Sequence, residues 1–273
     1  MTTVLEPLDY QWLCTFLRDE SALIIDESKE YLVTTRLHPV MKQFSIASLP
    51  ELVRKLRQRP LAAIHQAVIE AMTTNETSFF RDLHPFETLR NDILPEIVRK
   101  RGSNGLNIWC AASSTGQEPY TIVMVLCDAF SDVAAKSKIL CIDINATVLA
   151  RTAEGKYSQL EVNRGLPATM LVKYFERAGT EWQVKAELRR MIDTRLLNLA
   201  SPWTGIPPMD IVFIRNVLIY FDVETRRGII GRIRRNMAMD GFLFVGGAET
   251  LLNIDSDLTR TTAGRSTLYK RAA

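Results

Sequence analysis

The sequence predicts an α/β protein: a small all-helical N-terminal domain followed by a doubly wound, mostly parallel sheet with a small inserted antiparallel β subdomain. The first seventy or so residues carry helical periodicity and no strand pattern. From about Phe86 apolar strands alternate with amphipathic helices, the pattern of a doubly wound sheet. We expect domains at 1–76 and 77–273, with the insertion at about 165–190, where two short strand patterns flank a turn.

The N-terminal helices follow from apolar residues at helical spacing. Leu8, Trp12 and Phe16 share one face of the first helix. Pro39 interrupts the second apolar run and is expected to kink or split that helix. Ser48-Leu49-Pro50-Glu51 has the spacing of a capping box, with proline in the first turn. A small helical bundle is therefore predicted.

Composition excludes several classes of protein. The chain has 273 residues, 47% of them hydrophobic, and a net charge of +3, all ordinary for a soluble globular protein. Its four cysteines and three histidines show no metal-ligand spacing, so no metal site is predicted. The N-terminus lacks a signal-peptide pattern, and no apolar run is long enough to cross a bilayer. We expect a cytoplasmic protein without membrane insertion.

The segment from Leu106 to Asp143 is the most informative. It has the pattern of a strand, a loop of small residues, a helix and a second strand that ends on Asp143. Such a unit binds nucleoside-bearing ligands, because the small loop lets the backbone approach and the carboxylate accepts a ribose hydroxyl pair. Taken alone, Asp143 could instead cap the following helix.

Glu118 indicates which kind of nucleoside-bearing ligand this unit would bind. The loop from Ala111 to Glu118 has one glycine where a dinucleotide loop has three, and it ends in an acid. That acid would repel a pyrophosphate and attract an ammonium group. S-adenosylmethionine has a ribose and an amine but no phosphate, so the pattern favours a methyl-donor site. Taken alone, Glu118 could equally be a first-turn acid that complements the helix dipole.

The linker from Thr73 to Asp82 is rich in hydrogen-bonding side chains. A solvated connector is the ordinary interpretation of such a segment. Phe79 and Phe80, however, would anchor the linker on the fold, and Arg81 follows them directly. Because anchored loops often carry function, Arg81 is a candidate site residue.

Polar residues also follow two later strands. Arg215 and Asn216 end one strand, and Asn198 lies just past another. Ligands of open α/β sheets bind at the carboxyl ends of strands, so these side chains are expected to converge on one crevice. Tyr220 lies in an apolar segment, where its hydroxyl would need a partner; burial in the core is the alternative.

Together these motifs resemble the chemotaxis receptor glutamate methyltransferase family, the CheR type, over nearly the whole chain. The segments that carry the resemblance are Thr74 to Arg81, Ala111 to Tyr120, Asp143-Ile144-Asn145 and Arg215 to Asp222. The resemblance implies a Rossmann-like methyltransferase core with S-adenosylmethionine as donor and S-adenosylhomocysteine as product. It also implies methyl transfer to glutamate side chains on the cytoplasmic helices of methyl-accepting chemotaxis receptors.

The resemblance implies roles for individual residues as well. The implied donor pocket comprises Asn75, Thr77 and Arg81, with Glu118 at the methionine portion, Asp143 at the ribose, and Asn198, Leu199, Arg215 and Asn216 on the adenosine side. Arg81 and Tyr220 are the implied residues of the transfer site. Some relatives bind a receptor tether peptide through a glycine-bearing turn of the β subdomain; the corresponding turn here holds only Gly179.

Three other functions compete with this interpretation. A nucleic-acid methyltransferase could bind phosphates through Arg54, Lys55 and Arg57, which could equally contact acidic receptor helices. Base aminomethylation tends to use an Asn-Pro-Pro-Tyr loop, whereas Arg215 to Leu218 stands in that place. The missing glycines and Glu118 argue against a nicotinamide oxidoreductase. A sensor that binds the nucleoside without turnover is the third alternative.

Overall fold

The computed structural model describes residues 5–25, 30–58 and 63–272, which form two compact units. The first unit is Met1–Thr74 with Tyr220–Thr225, and the second is Asn75–Ile219 with Arg226–Ala273. None of the described helices combines the length and the apolar character that a bilayer crossing requires.

The described part of the first unit before Thr74 is helical. Its helices are α1 (Pro7–Ser21), α2 (Glu30–Gln43), α3 (Leu49–Leu56) and α4 (Ala63–Met72). Leu13, Val33, Leu37, Leu52 and Val68 are fully buried between them. Burial of these apolar faces is the main force that holds such short helices together.

Pro39 does not split α2, which runs unbroken from Glu30 to Gln43; the alternative expectation, a kink at Pro39, stays a prediction. Pro39 lies on the exposed face, so the carbonyl that loses its intrahelical donor there can be hydrated. On the other face Leu37 and Val40 are buried. Packing of that face therefore outweighs the local cost of the proline.

The capping box expected at α3 forms only in part. The Ser48 hydroxyl accepts from the Glu51 N–H at 3.4 Å. The Glu51 carboxylate accepts from the N–H of Ala47, one residue before the cap, at 3.0 Å. This bond holds the pKa of Glu51 below its ordinary value. Two donors at the helix start are still satisfied.

The second unit is built on a seven-stranded sheet of order β6-β2-β1-β7-β8-β10-β9. The strands are β1 (Asn107–Ala111), β2 (Lys138–Asp143), β6 (Ile192–Leu196), β7 (Met209–Ile214), β8 (Met237–Val245), β9 (Leu258–Ala263) and β10 (Ser266–Arg271). All neighbours pair in parallel except β10, which is antiparallel to β8 and β9. The predicted doubly wound sheet with an antiparallel edge is confirmed.

Helices flank the strands of this sheet. They are α5 (His84–Thr88) and α6 (Leu94–Arg101), joined by a π-helical turn (Leu89–Ile93), then α7 (Gln117–Ala129), α8 (Ser131–Ala134), α9 (Ala146–Glu154), α10 (Gln159–Asn163), α11 (Ala168–Tyr174), α12 (Ala186–Arg189) and α13 (Val223–Asn236). The central strands are buried on both faces. Phe213 of β7 stacks on Phe244 of β8 at 4.5 Å and on Phe86 of α5 at 6.3 Å. These aromatic contacts fix α5 against the sheet.

A small antiparallel sheet of order β3-β5-β4 accompanies the large one. Its strands are β3 (Lys156–Tyr157), β4 (Phe175–Ala178) and β5 (Glu181–Val184). The hairpin expected around Gly179 is confirmed, with Phe175 opposite Val184. The sequence did not predict β3. Phe79 of the linker packs edge-on against Tyr157 and Phe175, so this sheet anchors the linker.

Candidate functional site

The carboxyl ends of β6, β2, β1 and β7 lie side by side at one edge of the large sheet, and the loop after β1 is unusual there. Ala112, Ser114 and Gly116 have φ of 62°, 51° and 94°. Residues other than glycine adopt this region at a cost, and such residues concentrate at functional sites. The surrounding structure must therefore hold this loop in shape.

Three contacts hold the loop. The Ser113 N–H donates to the Ile142 carbonyl at 2.8 Å. The hydroxyls of Thr152 and Tyr157 donate to the carbonyls of Ser114 and Thr115 at 2.9 and 2.8 Å. Sequence reasoning missed Thr152 and Tyr157, since neither lies near the loop along the chain and neither belongs to a recognisable motif.

Asp143 is buried at the end of β2, beside the same loop. Its carboxylate oxygens accept from the Ser114 N–H at 2.9 Å and the Asn145 N–H at 3.0 Å. A carboxylate at the end of a strand beside such a loop is the acceptor type that binds ribose hydroxyls. Asn145 caps α9 by accepting from the Val148 N–H at 3.2 Å. The alternative of Asp143 as the helix cap therefore loses its support.

Glu118, in the first turn of α7, pairs with Arg215 from the end of β7. The Arg215 guanidinium donates to the Glu118 carboxylate at 2.6 Å, to Asp82 at 2.7 Å and to the Arg81 carbonyl at 3.2 Å. The Arg215 side chain is 1% exposed and lies over the Phe86 ring. Burial raises the pKa of Glu118, and Arg215 opposes that rise.

The charges of this cluster do not cancel. One guanidinium, that of Arg215, faces two carboxylates, those of Glu118 and Asp82, which leaves a net charge of −1. Arg81 and Glu249 also interact with Glu118 and add one charge of each sign, so the balance stays at −1. A net negative charge attracts a cationic ligand. The cluster is therefore suited to an ammonium or sulfonium group.

The linker that precedes α5 approaches this edge. Its Asn75 carbonyl accepts from the Ser114 hydroxyl at 2.9 Å, and the Phe80 N–H donates to the Thr121 hydroxyl at 3.2 Å. Arg81 is half-buried and donates to the Glu76 carbonyl at 2.9 Å. Thr77 lies half-buried in the same linker. The linker is thus anchored to the loop after β1 and to α7.

The other candidate residues occupy neighbouring strand ends. Asn198 and Leu199 follow β6, where the Leu199 carbonyl accepts from Arg232 of α13 at 2.7 Å. Asn216 follows β7 with a φ of 58°, and its N–H donates to the Glu249 carboxylate at 2.8 Å. All three lie at the edge that holds Asp143. Arg232 is a further residue that local patterns did not indicate.

Tyr220 ends a 3₁₀ turn, Leu218–Tyr220, and belongs to the first unit. It is half-buried, and its carbonyl accepts from the Ile24 N–H at 3.3 Å. Its role in transfer stays a prediction.

The residues present fit S-adenosylmethionine on three counts. Asp143 supplies a buried carboxylate of the type that binds a ribose, and the Glu118 cluster supplies a negative charge for the amine or sulfonium. The Ser113 hydroxyl and the Arg215 Nε are buried and have no hydrogen-bond partner within residues 5–25, 30–58 and 63–272. Buried polar atoms left unpaired in a crevice are expected where a ligand completes them.

Comparison with known proteins identifies the family. Two protein-family models match the chain. The family model of the CheR methyltransferase SAM-binding domain matches residues 75–266, and the family model of the CheR methyltransferase all-alpha domain matches residues 8–73. The chain is similar to the chemotaxis protein methyltransferase Cher2 of Pseudomonas putida, 38% identical over 89% of this chain and 90% of that protein. It is also similar to chemotaxis protein methyltransferase 1 of Pseudomonas aeruginosa, 36% identical over 96% and 97%.

These matches span both units and confirm the resemblance seen in the sequence motifs. The roles of the individual site residues stay predictions. The chain belongs to the CheR methyltransferase family and carries that family's S-adenosylmethionine-binding methyltransferase domain.

Proposed function

We propose that the chain transfers a methyl group from S-adenosylmethionine to glutamate side chains on the cytoplasmic helical domain of methyl-accepting chemotaxis receptors. The products are glutamate methyl esters and S-adenosylhomocysteine. The observation that carries the proposal is the pair of acidic groups joined by the loop after β1. Asp143 is bonded to the Ser114 N–H, and Glu118, with its net negative cluster, lies at the loop's other end. A ligand with a ribose at one end and a cationic amino acid at the other could contact both groups.

The chemistry requires orientation more than proton transfer. A glutamate side chain has a pKa of about 4.3, so the acceptor is already ionised at neutral pH and needs no general base. Bound S-adenosylmethionine supplies an electrophilic methyl group on a positively charged sulfur. The chain's own task is to hold the acceptor oxygen in line with that methyl and to exclude water, which can contribute several kcal/mol to catalysis.

The proposal assigns Arg81 the role of steering the acceptor. A hydrogen bond to the Glu76 carbonyl holds its guanidinium against the linker. A guanidinium has five N–H donors, so others remain for a carboxylate. The proposal assigns Tyr220 a hydrogen bond to the same acceptor. Attraction at Arg81 must stay moderate, because a tightly paired carboxylate is a poorer nucleophile.

A labelling assay tests the proposal. The protein is incubated with methyl-labelled S-adenosylmethionine and either a cytoplasmic receptor fragment or total tRNA and DNA. We expect label on the receptor fragment that is released as methanol by mild base, as a methyl ester requires. Base-stable label on nucleic acid would contradict the proposal and favour the nucleic-acid alternative. Donor binding without any transfer would favour the sensor.

Substitution of Arg81 tests the assigned mechanism. Arg81→Ala is expected to lower kcat by a factor of about 10² or more, because a positioned charge at the reacting group is lost. Arg164→Ala is the matched control, since Arg164 contacts the Glu76 side chain of the same linker. It should leave kcat within about twofold, as an exposed ion pair contributes little. Near-normal turnover of Arg81→Ala would remove Arg81 from the mechanism.

A further inference from the structure

A cavity of about 410 Å³ opens beside the candidate site, at the carboxyl end of β8. Its lining includes His84 at the start of α5, Gly246 to Thr250 after β8, and Arg265 in the turn between β9 and β10. Because β9 runs parallel to β8, that turn lies at the same sheet edge as the ends of β7 and β8. None of the predicted site residues lines this cavity.

The cavity is tied to the transfer site through Glu249, one of its lining residues. The Glu249 carboxylate accepts from the N–H groups of Asn216 and Gly246 at 2.8 and 2.7 Å. Asn216 follows Arg215, which pairs with Glu118. In the strand order β2-β1-β7-β8, Asp143 ends β2 and the cavity lies at β8. It therefore lies on the other side of the Arg215 cluster from Asp143.

The mouth of the cavity is cationic. Arg260 and Arg265 both line it and are both exposed. Arg260 donates to the Thr267 hydroxyl at 3.2 Å, and no ion pair is found for either arginine in the described ranges. The carboxylate among the lining residues, Glu249, is engaged by three N–H groups, including that of Ile219 at 3.4 Å. Two guanidinium groups therefore remain available to an anionic partner.

A second cavity, of about 540 Å³, continues the first and shares Thr250, Arg260 and Tyr269 with it. Its lining adds the apolar side chains of Leu251, Leu252, Ile254 and Leu258. Leu252 is 74% exposed, so its side chain is accessible to a partner. Together the two cavities form a groove with apolar surface and an arginine rim, which fits an amphipathic helix with acidic residues on its polar face.

We propose that this groove seats the part of the receptor helix that flanks the target glutamate. We name it the acceptor groove and define it by Thr250, Leu252, Arg260, Arg265 and Tyr269. Apolar residues of the helix contact Leu252, and acidic residues one or two turns from the target pair with the two arginines. The inference rests on the proposed function, and it adds specificity-determining residues on the methyltransferase unit itself.

Charge reversal in the groove tests this inference. Arg265→Glu lies in an exposed turn, so it should fold normally, and its KM for a cytoplasmic receptor fragment should rise about fivefold or more at low salt. The effect should shrink at about 0.5 M salt, where exposed charges are screened. Arg265→Lys, which keeps the charge, should stay within about twofold. Leu252→Ser should raise the same KM by an amount that salt does not change.

Two measurements distinguish weaker receptor recognition from a general loss of donor binding or catalysis. The affinity for S-adenosylhomocysteine, measured by calorimetry, should be unchanged in every groove variant, and kcat at saturating receptor should change less than KM. Arg99→Glu is the matched control, because Arg99 is an exposed arginine at the end of α6, where the chain leads to the opposite edge of the sheet. It should leave the KM for receptor unaltered.

The outcomes distinguish the inference from the proposed function. A normal methyl ester yield by the unaltered chain, with the same KM in Arg265→Glu and Leu252→Ser, overturns the groove and leaves the function standing. An equal rise of KM in Arg99→Glu also overturns it, since the effect would then be a general one of net charge. No methyl ester on any receptor fragment with the unaltered chain overturns both.

Discussion

At the scale of single residues, the buried Arg215 is central to the candidate site. Its guanidinium joins the end of β7 to α7 through Glu118 and to the linker through Asp82 and the Arg81 carbonyl. A buried arginine left without its carboxylates would be strongly destabilising, so the three chain segments are coupled through one side chain. The motif indicated that Arg215 and Glu118 belong to one crevice. It could not indicate that they pair, because that depends on side-chain geometry.

Glu118→Gln tests the charge at the methionine end. Loss of the carboxylate removes a charge-assisted contact to the donor, so the affinity for S-adenosylhomocysteine at neutral pH should fall about 10-fold to 100-fold, equivalent to about 1.5–3 kcal/mol. Calorimetry measures this directly. Asp128→Asn is the control, because Asp128 is a half-buried residue of the same helix that pairs with Arg90 and Lys173. Unchanged affinity in Glu118→Gln would exclude Glu118 from the donor site.

The pH dependence follows from the raised pKa of Glu118. As pH falls, Glu118 takes up a proton before an ordinary glutamate does, so donor affinity should decline at a pH above the usual carboxyl range. Glu118→Gln should lack this decline. Stability responds in the opposite sense: the raised pKa favours the folded state at low pH, and that contribution is lost as pH rises through the Glu118 pKa. Calorimetry and thermal unfolding, each followed as the pH is lowered from neutral, measure both effects.

At the scale of elements, strands with buried, apolar sequences could be predicted, whereas the polar edge strand β9 could not. The pattern of β1, β2, β7 and β8 is dominated by apolar residues because both faces of these strands are covered. In contrast, β9 reads Leu-Thr-Arg-Thr-Thr-Ala and buries only its first residue, so it lacks the signal. The two-residue β3 is too short to show a period at all.

The linker shows how distant elements shape the site. Phe79 is fully buried against the small sheet, and its carbonyl lies close to Gly165, which has a φ of +93°. A Cβ on Gly165 would lie 2.1 Å from the Phe79 oxygen, so only glycine permits this approach. Because Arg81 follows Phe79 by two residues, Gly165 indirectly positions the candidate transfer residue.

Gly165→Ala should therefore destabilise the protein and weaken catalysis. The left-handed backbone and the clash with Phe79 together should cost about 2–4 kcal/mol in the free energy of unfolding. Gly179→Ala is the matched control, since Gly179 has a φ of +68° but open space around it. It should cost only about 1 kcal/mol, the backbone contribution alone. Denaturant unfolding compares the two, and equal costs would contradict the close approach.

At the scale of the whole molecule, the candidate residues for the methyl donor and the basic surface belong to different units. The candidate donor residues lie in the second unit, whereas Arg54, Lys55 and Arg57 lie on or beside α3 of the first. Lys55 and Arg57 already pair with Glu51 and Asp9 inside that unit. Periodicity predicted this helical unit, but it could not place Tyr220–Thr225 there, because only long-range contacts assign that segment.

Charge reversal at Arg54 tests whether the first unit contacts an acidic receptor. Arg54 is exposed, so Arg54→Glu should raise the KM for a receptor fragment about fivefold at low salt and less at high salt. Affinity for S-adenosylhomocysteine should not change, because the donor residues lie in the other unit. A receptor KM that is independent of salt and of Arg54→Glu would contradict this role.

The most direct test of the proposed donor site is a crystal structure of the protein soaked with S-adenosylhomocysteine. We expect the ribose hydroxyls to lie within hydrogen-bond distance of the Asp143 carboxylate. The amino group should lie at the Glu118 side of the loop after β1. Asp143→Asn and Glu118→Gln should each weaken binding of the same compound in solution. A nucleoside bound elsewhere, or full affinity in both variants, would contradict the account.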